Sequence, residues 1–329
     1  MINEHIFNNG KMENQIEKSL HTILSFSKEN VKIFRIDDFS EAEGLEKNIF
    51  NEEDAVEISS IVSNLEDKNV FLLNEFINKD FFKLIRGLSN MIPKYGKKDS
   101  LKTSVAILNN ISSNFEDEYI DNFKIRNDIS LLRSLGNINI LAPADANETE
   151  YLLRVYEKTL FKNVINRFSY FRLSSLNSSK IFKGDYFIKE GNLKEYTGLP
   201  EIIYLSKNIN SPFEVAIISY GPIIHNVLYA AKELEAKNYK VSVLNFSLIS
   251  SNNENVNQKI KHFINNFSNN NKNILVVEEH SKIGGLGSFI AETILENRND
   301  KHIRLERMGI EDDLSPRNII SKAEEIISL

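Results

Sequence analysis

The chain has 329 residues and a formal net charge of −6, with 40 basic side chains against 46 acidic ones. No cysteine is present, which excludes disulfides, thiolate metal sites and a cysteine nucleophile. The acidic balance leaves no electrostatic footprint for nucleic acid, and the length suits two domains better than one.

The amino terminus, MINEHIFNNGKMENQ, has no apolar core and carries Glu4 early, so it does not read as a secretory signal. No stretch reaches the roughly 18 apolar residues of a membrane span. The expectation is a cytoplasmic protein with no membrane contact.

In chain order, ENQIEKSLHTILSFSKE sets Ile16, Leu20, Ile23 and Leu24 on one helical face. VKIFRI from Val31 reads as a short buried strand, followed by a helix starting near Asn51. VFLLN at Val70 is the next strand, and FFKLIRGL the next helix. TSVAILN from Thr103 and NINILAPA from Asn137 read as further strands, separated by an irregular loop from Ile111 to Arg126. Asp145, with Glu148 three positions on, fits an N-cap and its reciprocal glutamate. RFSYFRLS closes this unit at Ser174. Strands alternating with helices predict a mainly parallel sheet covered on both faces.

Residues 176–212 break the rhythm with Ser/Asn-rich patches and isolated glycines, and are read as an inter-domain linker. The alternation restarts at EVAIISYGP. Pro222 stands at a plausible first helical position, with Ile223, Val227, Ala231 and Leu234 at helical spacing. YKVSVLNF, NILVVEE, a glycine turn, a helix from about Ser288 and HIRLERM complete a smaller sheet. The expected fold class is α/β, in two domains each built on a mainly parallel sheet flanked by helices. The expected boundaries are a tail at 1–12, a first domain at 13–175, the linker at 176–212 and a second domain at 213–329.

Three segments carry a resemblance: LLRSLGNINILAPADANETEYLL (Leu131 to Leu153), VAIISYGPIIHNVLYAAKELEAKNYKVSVLNF (Val215 to Phe246) and ILVVEEHSKIGGLGS (Ile274 to Ser288). In that order and at that spacing they resemble the pyrimidine-binding and C-terminal domains of transketolase. The family's first domain binds the diphosphate of thiamine diphosphate through a GDG motif and a metal ion. No such motif occurs here, since Gly184-Asp185 runs straight into Tyr186. The chain therefore resembles a divergent member of the separate C-terminal subunits of split transketolases. That resemblance implies thiamine diphosphate shared with an N-terminal partner chain carrying the GDG motif, Mg2+ or Ca2+ bound by the partner, and an α2β2 assembly. No metal ligand is expected in this chain. The implied reaction is transfer of a two-carbon ketol unit between sugar or sugar-phosphate substrates, in a specialised biosynthetic pathway.

The family's "GIAEQNM" glutamate activates the cofactor by hydrogen-bonding its pyrimidine ring. FNEEDAVEISS falls there and places Glu52 on that glutamate. From its residues alone, the same segment reads as Asn51 capping a helix with an acidic first turn. Phe76, in FLLNEFINKDFF, is the nearest candidate for stacking on the aminopyrimidine. The family's substrate-contacting histidine falls on Phe123, and its phosphate-binding arginine on Ser175. Arg172 remains as a substrate-binding candidate, although its position in the strand also suits a solvent-exposed side chain. Of six histidines, His280 draws notice because it ends a predicted strand. The turn Gly284-Gly285-Leu286-Gly287 lacks dinucleotide-binding spacing and is expected to be structural. Two other readings remain open: a degenerate, non-catalytic partner subunit, and a subunit like the beta chain of 2-oxo acid dehydrogenases.

Overall fold

The computed structural model describes residues 12–26, 31–35, 69–74, 84–89, 104–111, 118–158, 168–183, 185–189, 191–207, 213–251, 253–296 and 303–329. They build two sheets. The first contains β1 (Val31–Arg35), β2 (Asn69–Asn74), β3 (Ser104–Asn110), β4 (Asn139–Leu141), β5 (Phe168–Leu173) and β11 (Leu248–Ser250), in the order β1-β2-β3-β5-β4-β11. The second contains β8 (Glu201–Leu205), β9 (Val215–Ser219), β10 (Val241–Asn245), β12 (Asn273–Val277) and β13 (Arg304–Met308), in the order β13-β12-β9-β10-β8. A small ribbon pairs β6 (Ile188–Lys189) with β7 (Asn192–Leu193).

Within the two sheets neighbouring strands are parallel, except that β11 runs against β4 and β8 against β10; the β6–β7 ribbon is antiparallel. The sequence explains this. Val-Ala-Ile-Leu in β3 and Val-Ala-Ile-Ile in β9 are unbroken apolar runs, as strands covered on both faces require. Strand β5, which is mostly apolar but carries Ser169 and Arg172, is buried throughout like β9 and β10.

Helices cover the sheets: α1 (Gln15–Leu24), α2 (Glu118–Leu135), α3 (Ala146–Glu157), α4 (Ile224–Ala236), α5 (Glu254–Asn270), α6 (Leu286–Glu296) and α7 (Pro316–Ser328). Residues 84–89 are also helical, burying Leu84, Ile85 and Leu88 within the FFKLIRGL segment.

Several expectations change. The irregular loop read from 111 to 126 gives way to α2 at Glu118, whose weak amphipathic pattern conceals it. In α1, Ile23 is buried but Leu24 is exposed, and Gln15, Ser19 and Thr22 share the buried face. The reason is polar docking. The amide of Gln15 donates to Pro143 O at 2.6 Å, and its side-chain oxygen accepts from Ser174 N at 2.8 Å. The segment read as a linker carries β8, which extends the second sheet. Conversely, β11 comes from the carboxyl-terminal region and edges the first sheet beside β4. The sheets are thus interlocked by chain crossing. Helix α4 starts at Ile224, two residues after Pro222.

Candidate functional site

The carboxyl ends of the first sheet's central strands meet the second sheet at its topological switch point. That point lies between β9 and β12, where the chain leaves β9 for β10 and returns to β12, and open α/β sheets bind ligands in such a crevice. Here a side chain of the first sheet fills it. Tyr170 and Arg172 alternate onto one face of β5, and both reach Asp128 of α2. Asp128 Oδ2 accepts from Tyr170 Oη and from Arg172 Nε, each at 2.9 Å. Arg172 Nη2 then donates to Glu279 O, just beyond β12, at 2.6 Å. The guanidinium carbon lies 5.9 Å from the Tyr220 ring centroid.

Arg172 is 1% exposed, so the exposed placement weighed for it is overturned. Its charge is balanced inside the protein. Burial alone would lower its pKa, but neighbouring anions, Asp128 first, hold it above the ordinary value. The Arg172 Nη1, Asp128 Oδ1, Tyr220 Oη and Glu279 Oε2 atoms are buried without a hydrogen-bond partner among the described residues. Burial also raises the carboxyl pKa of Glu279.

His280 sits beside this pair, fully buried. Its Nδ1 lies 2.7 Å from Ser281 O, which can only accept, so Nδ1 carries the proton. Nε2 then accepts from the Ser130 N–H at 3.4 Å and lies 3.9 Å from Asp128 Oδ1. Burial lowers the His280 pKa, so the ring is the neutral Nδ1–H tautomer.

The glycine turn is built for packing, as expected. Glu278 caps α6 with its carboxylate, accepting from Leu286 N at 2.8 Å and Gly287 N at 3.0 Å. The amides that could cradle a phosphate are thus already taken by an internal anion. Burial raises Glu278 to about 7 despite these bonds. The carbonyls of Gly284 and Gly285 accept from Arg133 Nη1 at 2.7 and 3.0 Å. A Cβ on Gly284 would come 2.5 Å from that of Ser130, and one on Gly285 would strike the Glu278 carboxylate. Only glycine permits α2 to seat so closely.

A second polar knot lies at the start of α3. Asp145 Oδ1 accepts from Glu148 N at 2.7 Å, the expected N-cap. Its Oδ2 accepts from Ile181 N and Phe182 N at 2.6 and 2.8 Å, pulling the following segment over the helix. Glu148 reaches back to accept from Ala144 N at 2.6 Å, one residue beyond the usual capping-box partner. Its other contact is the Asn245 amide of β10. Burial raises Asp145 to about 6 and Glu148 to about 8.

Glu52 and Phe76 lie outside the described residues. Phe123 falls within α2, and Ser175 is half-buried just past β5. The Asp128–Arg172 pair and the Glu148–Asn245 contact went unread in the sequence. The cue available was an arginine in an otherwise apolar strand, which needs an anion if that strand is buried.

Among the described residues there is no cluster of three or more His, Asp or Glu able to hold a metal ion, and no helix long and apolar enough to cross a membrane.

Residues 209–319 match the family model of the transketolase C-terminal domain. The chain resembles the C-terminal half of transketolase. It is 30% identical over 186 residues to one of the separately named subunits of the apulose-4-phosphate transketolase of Actinobacillus succinogenes, covering 56% of this chain and 50% of the relative. It is 28% identical over 192 residues to 1-deoxy-D-xylulose-5-phosphate synthase of Halothermothrix orenii, covering 57% of this chain and 26% of the relative. The chain thus spans about half or less of the length of these curated relatives. Among solved structures, a chain described as a split-gene transketolase, inactive beta4 tetramer, superposes with a TM-score of 0.70 at 19% identity, over 96% of this chain and 98% of that one. A transketolase mutant from Pichia stipitis superposes at 0.66 with 11% identity, over 98% of this chain and 47% of that one. These two structural likenesses establish the fold: transketolase-like α/β, with parallel-rich sheets flanked by helices.

Proposed function

We propose that this chain is the C-terminal subunit of a two-chain, thiamine-diphosphate-dependent transketolase-like enzyme. In this reading it transfers a two-carbon ketol unit between sugar or sugar-phosphate substrates. The observation that carries it is the 30% identity with one subunit of a transketolase, spread over more than half of this chain. The site chemistry is compatible: Glu278 occupies the α6 amides, and this reading assigns the diphosphate and its Mg2+ or Ca2+ to a partner carrying the GDG motif.

When bound, thiamine diphosphate supplies the nucleophilic carbon and the electron sink. This chain's part is placement and proton control. Glu52 is the residue we assign to hydrogen-bond the aminopyrimidine and favour its imino form. Phe76 is assigned to stack on that ring. An α2β2 assembly in the cytoplasm follows from the same reading, with a pyrimidine-binding domain at 13–175 and a C-terminal domain at 213–329, the latter extended by β8.

Phe123 and Ser175, at the positions of the family's substrate histidine and phosphate arginine, favour a specialised substrate, because a lost guanidinium weakens phosphate recognition. They equally motivate a second reading, a non-catalytic subunit that only stabilises its partner. The test is to reconstitute the full chain with its N-terminal partner and follow deuterium exchange at the cofactor's reactive carbon, then two-carbon transfer. Exchange that is lost in Glu52→Gln supports the assignment, and unchanged exchange removes it. A wild-type pair that neither exchanges nor transfers favours the non-catalytic subunit.

A further inference from the structure

Helix α2 is tied to the second sheet's loops at three successive points. Arg133 binds the Gly284 and Gly285 carbonyls, Ser130 N–H reaches His280, and Asp128 holds Arg172, which in turn holds Glu279 O. The last tie lies nearest the amino end of the helix. Phe123 stands five residues further on, about 7.5 Å along the axis at 1.5 Å per residue.

Arg172 is suited to this task in a way lysine is not. Its planar fork addresses a carboxylate of α2 and a carbonyl of the second sheet at once, from a strand of the first. Arg172 and Asp128 are both buried, so their contact is little screened by solvent, while the bond to Glu279 O is partly buried. The crevice it fills is the one where an open sheet would take a ligand, which makes the guanidinium an internal ligand joining three elements.

We propose that Arg172 is a positioning residue, whose grip on Asp128 sets the placement of the amino-terminal half of α2 and of the Phe123 position it carries. That Phe123 marks a substrate-facing place rests on the transketolase-like reading above; the grip itself does not.

The test compares backbone hydrogen exchange in the full chain for wild type, Arg172→Lys and the doubly neutral Asp128→Asn/Arg172→Met variant, which removes both members of the buried ion pair together. Amides of residues 119–128 are expected to exchange about tenfold faster in the double variant while β9 and β12 keep their protection, with Arg172→Lys intermediate. Unchanged exchange in that half-helix, or equal loss of protection throughout both sheets, overturns the proposal. If the double variant does not fold, Arg172→Lys decides by the same criterion. In the reconstituted pair, KM for the acceptor is expected to rise about tenfold with kcat changed less than about threefold. Faster α2 exchange with KM unaltered reduces Arg172 to a structural role and overturns its effect on the site. A wild-type pair without turnover counts against the transketolase-like reading, and the exchange result then judges the grip alone.

Discussion

The Glu148 carboxyl of α3 lies 2.9 Å from the Asn245 amide nitrogen of β10, joining a helix of the first sheet to a strand of the second where neither meets water. Burial is the main reason Glu148 is raised to about 8, so at neutral pH it holds a proton that the unfolded chain, near its ordinary 4.5, releases. The folded form then binds more protons than the unfolded form between those two values. Stability from this group is complete at low pH and is lost as pH rises through about 8.

Glu148→Gln should therefore flatten part of the pH dependence of stability. Relative to the variant, wild type should lose up to about 1.4 kcal/mol per pH unit between about pH 5 and 8. Urea unfolding across that range measures the difference. Parallel curves for the two proteins would show that Glu148 is already ionised in the fold.

Asp145 spends both oxygens on three backbone amides, of Glu148, Ile181 and Phe182. Asp145→Asn keeps the size but turns an amide NH2 donor toward backbone N–H donors. The expected cost is about 2 to 3 kcal/mol, with earlier proteolysis around residues 176–183 than elsewhere. A stability change within about 0.5 kcal/mol would mean that those amides find other acceptors.

Gly285→Ala should cost about 2 to 4 kcal/mol, because the new methyl meets the Glu278 carboxylate and sits 2.8 Å from His280 Nδ1. Gly191→Ala makes the useful contrast. Its Cβ has nothing within 4 Å, so only the strain of a positive φ of 77° remains. Thermal unfolding of the two variants gives the comparison, and equal losses would rule out a steric origin at Gly285.

Arg133 illustrates how little surface charge contributes. Its bonds to two buried-turn carbonyls should make Arg133→Met cost about 1 to 3 kcal/mol. Its ion pair with the exposed Glu292 should add almost nothing, so Glu292→Gln should fall within about 0.5 kcal/mol of wild type. Chemical denaturation of both variants tests this; a larger loss in Glu292→Gln would reverse the assignment.

Much of the architecture was legible in the residues themselves. Apolar runs, unbroken in β9 and in the Val-Ala-Ile-Leu of β3 and interrupted by single polar residues in β5 and β10, marked strands covered on both faces, and Asp145 with Glu148 marked the start of α3. These are local signals, carried by periodicity and capping chemistry within a few residues. The α2 helix escaped because its polar sequence has little amphipathic contrast and is held by long-range ties at Asp128, Ser130 and Arg133.

The sequence by itself determined the alternation of strand and helix, the absence of thiol chemistry and the motifs that place the chain beside transketolases. Tertiary structure alone decided what Arg172, Glu148 and Glu278 do. Each is an ionisable residue whose pattern suits the surface, and each is buried where a partner offsets the cost of leaving water: Asp128 and Asn245, distant in sequence, for the first two, and the nearby α6 amides for Glu278. The Asp128 and Asn245 pairings depend on tertiary packing, and no short window of the chain contains that information.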